Sequence, residues 1–514
     1  MVAMQKLQHE EFPQLPFQTR SVCPECKRVI DATVYEDDGR VMITKTCPEH
    51  GQVTDVYWGD AELYKKVARW NYSRVKIENP HVEASHGCPY DCGLCTNHKT
   101  YTVLALIDVT NRCNLRCPIC FANAAVTGYV YEPSQEQIRY MLEVFRRNSP
   151  VPAPAVQFAG GEPTVREDLP DLIRAARETG FAHVEIASNG LKLAQSVDYC
   201  RELVEAGLST VYLQFDGVTP EPYLEARGKN LLPVKLRAID NCRKAGLHSI
   251  VLVPTVVRGV NDRQIGDIIR FAVDNYDVVR GIIFQPVSFT GRIDESKRLE
   301  MRITIPEVLK ACEEQTGGRI KVSDFYPCTT PTPLSRALSA YFGRPVVEFG
   351  NHVHCGMATF IRVEGDGEYY PITHYANVDR IMETFEKCAE DFRGNALSRT
   401  RGRIRLLAGM LRHFKKRGLL FNLFRKVLIS GDYSSLGDFM RSVILIGSMH
   451  FQDPYNFDLA RVERCVINYG TPDGRVIPFC TYNSLHRPAV EKRFSIPIEE
   501  WRKRRGGVID ETAE

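Results

Sequence analysis

Three cysteines on one short loop constrain this chain more than any other feature: Cys113, Cys117 and Cys120, in the run Cys-Asn-Leu-Arg-Cys-Pro-Ile-Cys. Their thiolates can hold three irons of a four-iron, four-sulfur cube, whose complete cage takes four ligands. One iron is left for a ligand that is not protein. The loop follows an apolar stretch, so the fold must deliver three sulfurs at the end of a buried strand. The same spacing occurs just upstream, at Cys88, Cys92 and Cys95 in Cys-Pro-Tyr-Asp-Cys-Gly-Leu-Cys. Two copies make chance a poor account.

The chain carries 17 cysteines in 514 residues. In a long chain whose first twenty residues show no apolar signal-peptide core, such a number points to metal rather than disulfides. Clustering agrees, because nine of the 17 lie in three tight groups before residue 121. Cys200, Cys242 and Cys312 sit in helical patterns and are expected to be buried and inert. A length of 514 residues implies more than one core. The net charge of +3 excludes no partner, so the distribution of charge matters more. No apolar run is long enough to span a bilayer. A cytoplasmic protein is expected.

The first segment, 1–75, contains Cys23-Pro-Glu-Cys26 and Cys47-Pro-Glu-His50. Each knuckle offers two ligands, so Cys23, Cys26, Cys47 and His50 can close a tetrahedral site in a rubredoxin-like or zinc-ribbon unit. Three thiolates and one imidazole suit Zn as well as mononuclear Fe. A structural clip and an electron-transfer role both remain open. A linker at 76–102 carries the Cys88 motif.

From 103 to 300 strand and helix alternate. Apolar runs at 103–110, 155–160, 183–190, 210–217, 249–257 and 281–288 read as buried parallel strands, with helical patterns such as 136–147, 169–179, 193–206 and 263–275 between them. This predicts an α/β fold, a partial six-unit TIM-like barrel whose ligands bind at the carboxyl ends of the strands. The first strand runs into the Cys113 loop and puts any cluster at that mouth.

Phe-Ala-Gly160-Gly161-Glu162-Pro163 follows the second strand. With the Cys113 loop one strand earlier, these residues resemble the motifs of the radical S-adenosylmethionine (SAM) superfamily. The resemblance implies that the open iron chelates SAM and that Gly160, Gly161, Glu162 and Pro163 contact its amino group. It also implies reductive cleavage of SAM to a 5′-deoxyadenosyl radical that abstracts hydrogen from unactivated carbon. On that reading Cys113, Cys117 and Cys120 are the catalytic ligands. Ser188 and Asn189 at the third strand tip, Gln214 and Asp216 at the fourth, and Thr255 and Gln285 beyond are candidates for binding SAM. The alternative for each of these is a strand-end cap or turn residue. Ile119 suits adenine or core. Cys88, Cys92 and Cys95 are expected to hold an auxiliary cluster, because only the later motif precedes the glycines.

After residue 300 the pattern changes. Cys328, Cys355, Cys465 and Cys480 are isolated cysteines with loop-like neighbours. They can form a further four-cysteine cluster or lend a ligand to the Cys88 group, in auxiliary-cluster regions at 301–395 and 446–514. Cys388 is expected to be free. Between them, 396–430 holds ten Lys or Arg and no acidic residue. Ile404, Leu407, Leu411, Phe414, Phe421, Phe424 and Leu428 recur there at helical spacing, so 396–445 reads as a basic amphipathic region. It suits an anionic membrane interface or an ordinary solvated helical hairpin. No nucleic-acid motif accompanies it.

The N-terminal metal unit, the tandem cysteine motifs and the C-terminal cysteines together resemble archaeal tetraether synthases and related multi-cluster radical SAM methylases acting on a pterin. The lipid resemblance implies joining of isoprenoid chain ends, a lipid or other apolar substrate, peripheral contact with the inner membrane face, one or two auxiliary [4Fe–4S] clusters, and an external donor of ferredoxin or flavodoxin type. The rival readings are a radical SAM methylase and, from another class, a non-catalytic iron–sulfur carrier.

Overall fold

The computed structural model describes residues 8–414 and 442–504. Its N-terminal unit is an antiparallel meander of β1 (Phe17–Val22), β2 (Val29–Asp37), β3 (Arg40–Cys47) and β4 (Gly51–Trp58). The β2–β3 hairpin turns through Asp38 and Gly39, both with positive φ, as the twist of a two-residue hairpin demands.

The central sheet contains the six expected strands: β5 (Leu104–Thr110), β6 (Ala155–Gly160), β7 (His183–Ser188), β8 (Thr210–Gln214), β9 (Ile250–Val253) and β10 (Val279–Pro286). All pair in parallel. Between them run α1 (Gln135–Arg146), α2 (Leu169–Glu178), α3 (Val197–Glu205), α4 (Glu221–Arg227), α5 (Leu232–Lys244) and α6 (Ile265–Asp274). Alternate strand residues, among them Ile107, Phe158, Ile186, Leu213, Leu252 and Phe284, are buried in one core with these helices. The residues between them point the opposite way. Of these, Ala159, Ala187, Tyr212, Gln214, Val251, Ile283 and Gln285 keep partial exposure, so the inner side of the sheet is an accessible lumen.

The sheet does not stop at residue 300. β11 (Gly356–Val363), β12 (Ile444–Met449), β13 (Ile467–Gly470) and β14 (Val476–Pro478) extend it at both flanks. β12 lies parallel beside β10, and β13 lies parallel beside β5. The parallel order is β12-β10-β9-β8-β7-β6-β5-β13, with antiparallel β11 and β14 outside it, and the path is open. Short strands distant in sequence from their partners leave no local pattern, which is why sequence alone placed 446–514 apart.

Helices α7 (Ile305–Gln315), α8 (Thr332–Phe342), α9 (Val378–Arg393) and α10 (Ala396–His413) follow the barrel. The last three share a separate core that includes Phe385, Cys388, Phe392, Leu406 and Met410. Of the basic amphipathic stretch, α10 is described, whereas Phe421, Phe424 and Leu428 lie outside the described residues.

Candidate active site and metal centres

The loop after β5 is held by its own hydrogen bonds. Asn111 closes its neck: its amide donates to Thr127 Oγ1 and the Tyr129 carbonyl, both at 3.0 Å, and its Oδ1 accepts from Tyr131 N at 2.9 Å. Cys113 and Cys117 are buried and Cys120 is half-buried, in a pocket shared with Leu115, Ala124, Ala125 and Tyr223. Burial pushes the Cys113 and Cys117 thiols up, and the neighbouring sulfurs push further. A metal must displace those protons to bind.

Two arginines that sequence reasoning missed fasten the loop. Arg292 Nε donates to the Cys117 carbonyl at 2.7 Å, and the Arg292 and Cys120 backbones exchange two hydrogen bonds of 2.9 Å. Gly291, with φ near +75°, is required there, since a Cβ would sit 2.3 Å from the Phe121 oxygen. Arg227, at the end of α4, donates to the Ile119 carbonyl at 2.8 Å and grips Asp216 through two hydrogen bonds of 2.7 and 2.8 Å. Its Nη2 also reaches Thr255 Oγ1 at 3.0 Å. Asp216 and Thr255 therefore stand as the anchor of this arginine. Ile119 packs among Val257, Val287 and Phe289.

The glycine motif lies against the same loop. A Cβ on Gly160 or Gly161 would fall 2.1 Å from the oxygen of Thr110 or Arg112. The close approach those glycines permit is thus to the backbone of the cluster loop. Gly161 N donates to Thr110 O at 2.7 Å and Glu162 N to Arg112 O at 2.8 Å, which locks the second strand end onto the first. Pro163 then opens a single 3₁₀ turn.

Glu162 is buried. Its Oε1 accepts from the hydroxyls of Ser188 (2.8 Å) and Thr164 (2.6 Å), and its Oε2 from Asn189 N at 2.7 Å. Burial pushes its carboxyl up, while these donors favour the ionised form. The Asn189 amide spans from Asn114 Oδ1 (2.7 Å) to within 4.0 Å of Cys113 Sγ.

Gln214 accepts from Lys235 Nζ at 3.0 Å, and Lys235 also donates to the Asn189 carbonyl. Burial draws this lysine down to about 8. One signal could have found it, because Lys235 shares the buried face of α5 with Ala238, Ile239 and Cys242. Gln285 lies on the lumen face and meets Tyr212. Deeper in the lumen, Gln157 Nε2 donates to Glu185 Oε1 at 2.8 Å.

At the N-terminus, Cys23, Cys26, Cys47 and His50 bring their ligand atoms within 4.8 Å of one another. His50 Nδ1 faces the sulfurs of Cys47 and Cys23 at 3.4 and 3.6 Å. Three sulfurs and one nitrogen around one point fit a single tetrahedral ion.

Seven of the other cysteines fall into two groups. Cys88, Cys92 and Cys95 line one small cavity with His98, Val462, Glu463 and Pro478. Cys328, Cys355, Cys465 and Cys480 converge from four separate segments. Burial pushes Cys328 up to about 12 and Cys480 up to about 11, and in both the Cys355 sulfur adds to the shift. Cys465 is raised by burial and then by Cys480 and Cys355. The rings of Phe121, which follows Cys120, and Phe479, which precedes Cys480, lie 5.8 Å apart. Cys388 is buried against the Gly402 carbonyl, and Cys200 and Cys242 face each other 4.0 Å apart, away from these groups.

Three sulfurs on one loop, two buried and one half-buried, flanked by a carboxylate and an amide at the barrel mouth, suit a cube with one open iron. The family model and the curated relative agree. Residues 107–272 match the radical SAM superfamily model, and 15–59 match the model of an HMPTM N-terminal zinc ribbon domain. The 7,8-dihydro-6-hydroxymethylpterin dimethyltransferase of Methanocaldococcus jannaschii is 52% identical over 492 residues, covering 94% of this chain and 97% of that one. A GTP 3′,8-cyclase of Nautilia profundicola is 25% identical over 55% of this chain and 84% of its own. The solved structure of anSMEcpe with bound AdoMet overlaps 58% of this chain and 84% of that one at 17% identity, with a TM-score of 0.33. This chain belongs to the radical SAM superfamily, and within it to the family of the Methanocaldococcus jannaschii pterin dimethyltransferase.

Proposed function

We propose that this protein is a radical SAM methylase that replaces hydrogen by methyl on a reduced pterin. The supporting observation is the 52% identity to a pterin dimethyltransferase along nearly the whole of both chains. A [4Fe–4S] cluster with an open iron supplies reductive cleavage of SAM, which makes unactivated C–H bonds reactive. Cys113, Cys117 and Cys120 would hold that cluster, and Gly160 to Pro163 would keep its loop in register. Ser188, Asn189 and Gln214 crowd the adjoining strand tips and would orient SAM. The Cys88 group and the four C-terminal cysteines would hold auxiliary clusters.

Lumen chemistry supports a polar heterocycle. The Gln157–Glu185 pair and the Tyr212–Gln285 contact put an acidic group, two amides and a phenol on its wall. These groups already pair with one another, and a wall of that polarity suits the amino and lactam edge of a pterin better than an alkyl chain.

The coupling of isoprenoid chain ends is retained as a second reading for one observation, the exposed apolar stripe on α10 described below. Both readings form a carbon–carbon bond, and anaerobic reconstitution with SAM, reductant and either substrate separates them. A pterin product heavier by a methyl group supports methylation. A lipid product lighter by hydrogen, with no methylated pterin, rejects it. Replacing Cys113, Cys117 and Cys120 by Ala should abolish SAM cleavage, and cleavage surviving in that variant would reject the assignment of the site.

A further inference from the structure

We propose that the outward face of α10 is a docking surface for an anionic phospholipid bilayer. The helix has two apolar faces. Gly402, Leu406 and Met410 form the inner one, buried against α9 so closely that a Cβ on Gly402 would lie 2.8 Å from the Phe392 ring. The outer one carries Leu397, Ile404, Leu407 and Leu411, at 81%, 64%, 52% and 43% exposure. Steps of seven, three and four residues set these four side chains on a single stripe.

A merely solvated helix places charge at such positions. Here the charge flanks the stripe instead. Arg401, Arg403 and Arg412 are exposed beside it, and α10 has five arginines and no acidic residue. Among the described residues, the carboxylate this helix pairs with, Asp391, is buried and already held by Arg401 and Arg405. An apolar strip with basic borders matches a bilayer interface, which offers acyl depth to leucine and phosphate to arginine. At 18 residues the helix is about 27 Å long, enough to lie in the membrane plane. Among the described residues no helix is long and apolar enough to cross a membrane, so the contact would be peripheral.

Cosedimentation of the full-length, metal-reconstituted protein with vesicles tests this without turnover, and so stands apart from the chemistry proposed above. Vesicles of phosphatidylglycerol and phosphatidylcholine should bind the protein, release it at high salt, and outcompete pure phosphatidylcholine. The variant Ile404→Ser/Leu407→Ser/Leu411→Ser should melt like the wild type and bind about tenfold more weakly or worse. Should that variant melt early, the single Leu407→Gln change should still weaken binding. Arg403→Gln/Arg412→Gln should flatten the salt dependence. Three results would overturn the proposal: no binding of the wild type to anionic vesicles, equal binding by the stripe variants, or a solution dimer that the stripe variants dissociate.

Discussion

A guanidinium buried beside a cluster loop affects both stability and redox behaviour, and Arg227 is placed for both. Its charge couples with the sulfurs of Cys117 and Cys120 as well as with Asp216. Removing it leaves the buried Asp216 carboxylate without its guanidinium and with the Thr255 N–H at 3.3 Å, a change that typically costs about 3–5 kcal/mol. The reduced cluster carries the greater negative charge, so loss of a nearby cation disfavours reduction. Arg227→Met should therefore lower the melting temperature and move the midpoint potential of the Cys113 cluster downward, on the order of 60 mV, the one-electron equivalent of ~1.4 kcal/mol. Arg227→Lys should keep most of the potential. An unchanged potential in a redox titration followed by electron paramagnetic resonance would reduce Arg227 to a structural brace. Cys113, Cys117 and Cys120 could be read from sequence because their spacing is local chemistry. Arg227 and Arg292 could not, because each acts on a carbonyl that only the folded sheet brings near; Lys235 was marked only by its place on the apolar face of α5.

At the scale of elements, the N-terminal ribbon is fastened by charge as well as by metal. Arg302 is buried between Asp55 of β4 (2.9 Å) and Asp453 (2.6 Å), and Arg298 joins at Asp55. Tyr57 reaches Asp458 at 2.7 Å from the same strand. Because these ties lie in β4, the knuckles can lose their metal while the ribbon stays attached. Cys23→Ala/Cys26→Ala should lose the mononuclear metal in elemental analysis and retain SAM cleavage; loss of both would put the ribbon in the reaction. Burial alone would raise the Asp453 carboxyl, yet the charge of Arg302, its hydrogen bond and the Phe289 N–H hold it below the usual range. A carboxyl lowered by folding adds stability above its unfolded value, about pH 4, and that stability is lost as pH falls further. The wild type should thus lose melting temperature below about pH 4. Asp453→Asn should be less stable at pH 7 and show a smaller acid-induced loss in calorimetry. The strand–helix units were readable at this scale because each carries its own apolar period. The ribbon ties were not, since a lone charged residue looks the same exposed or buried.

At the scale of the whole molecule, the C-terminal segment closes one flank of the sheet and plugs it with charge. β13 extends β5, and the helix α11 (Arg487–Arg493) sets Arg487 against Asp108 of β5 at 2.6 Å. Arg487 also meets Glu491 at 3.0 Å and lies over the rings of Tyr482 and Tyr469, 4.8 and 5.5 Å from their centres. The same segment supplies Cys465 and Cys480, so the plug and two of the four C-terminal cysteines come from one stretch of chain. Burial pushes the Asp108 and Glu491 carboxyls up, with Arg487 as the opposing charge. Arg487→Met removes that opposition and leaves two carboxyls that must take up protons in order to stay buried. A carboxyl raised by folding binds more protons folded than unfolded, so its stability contribution falls as pH climbs from about 4 toward its raised value. Arg487→Met should melt well below the wild type at pH 7.5 and recover part of the loss at pH 5. Adding Asp108→Asn should relieve much of the pH dependence. If Arg487→Met instead melts equally far below the wild type at both pH values, packing against Tyr469 and Tyr482, rather than charge, is what seals this flank.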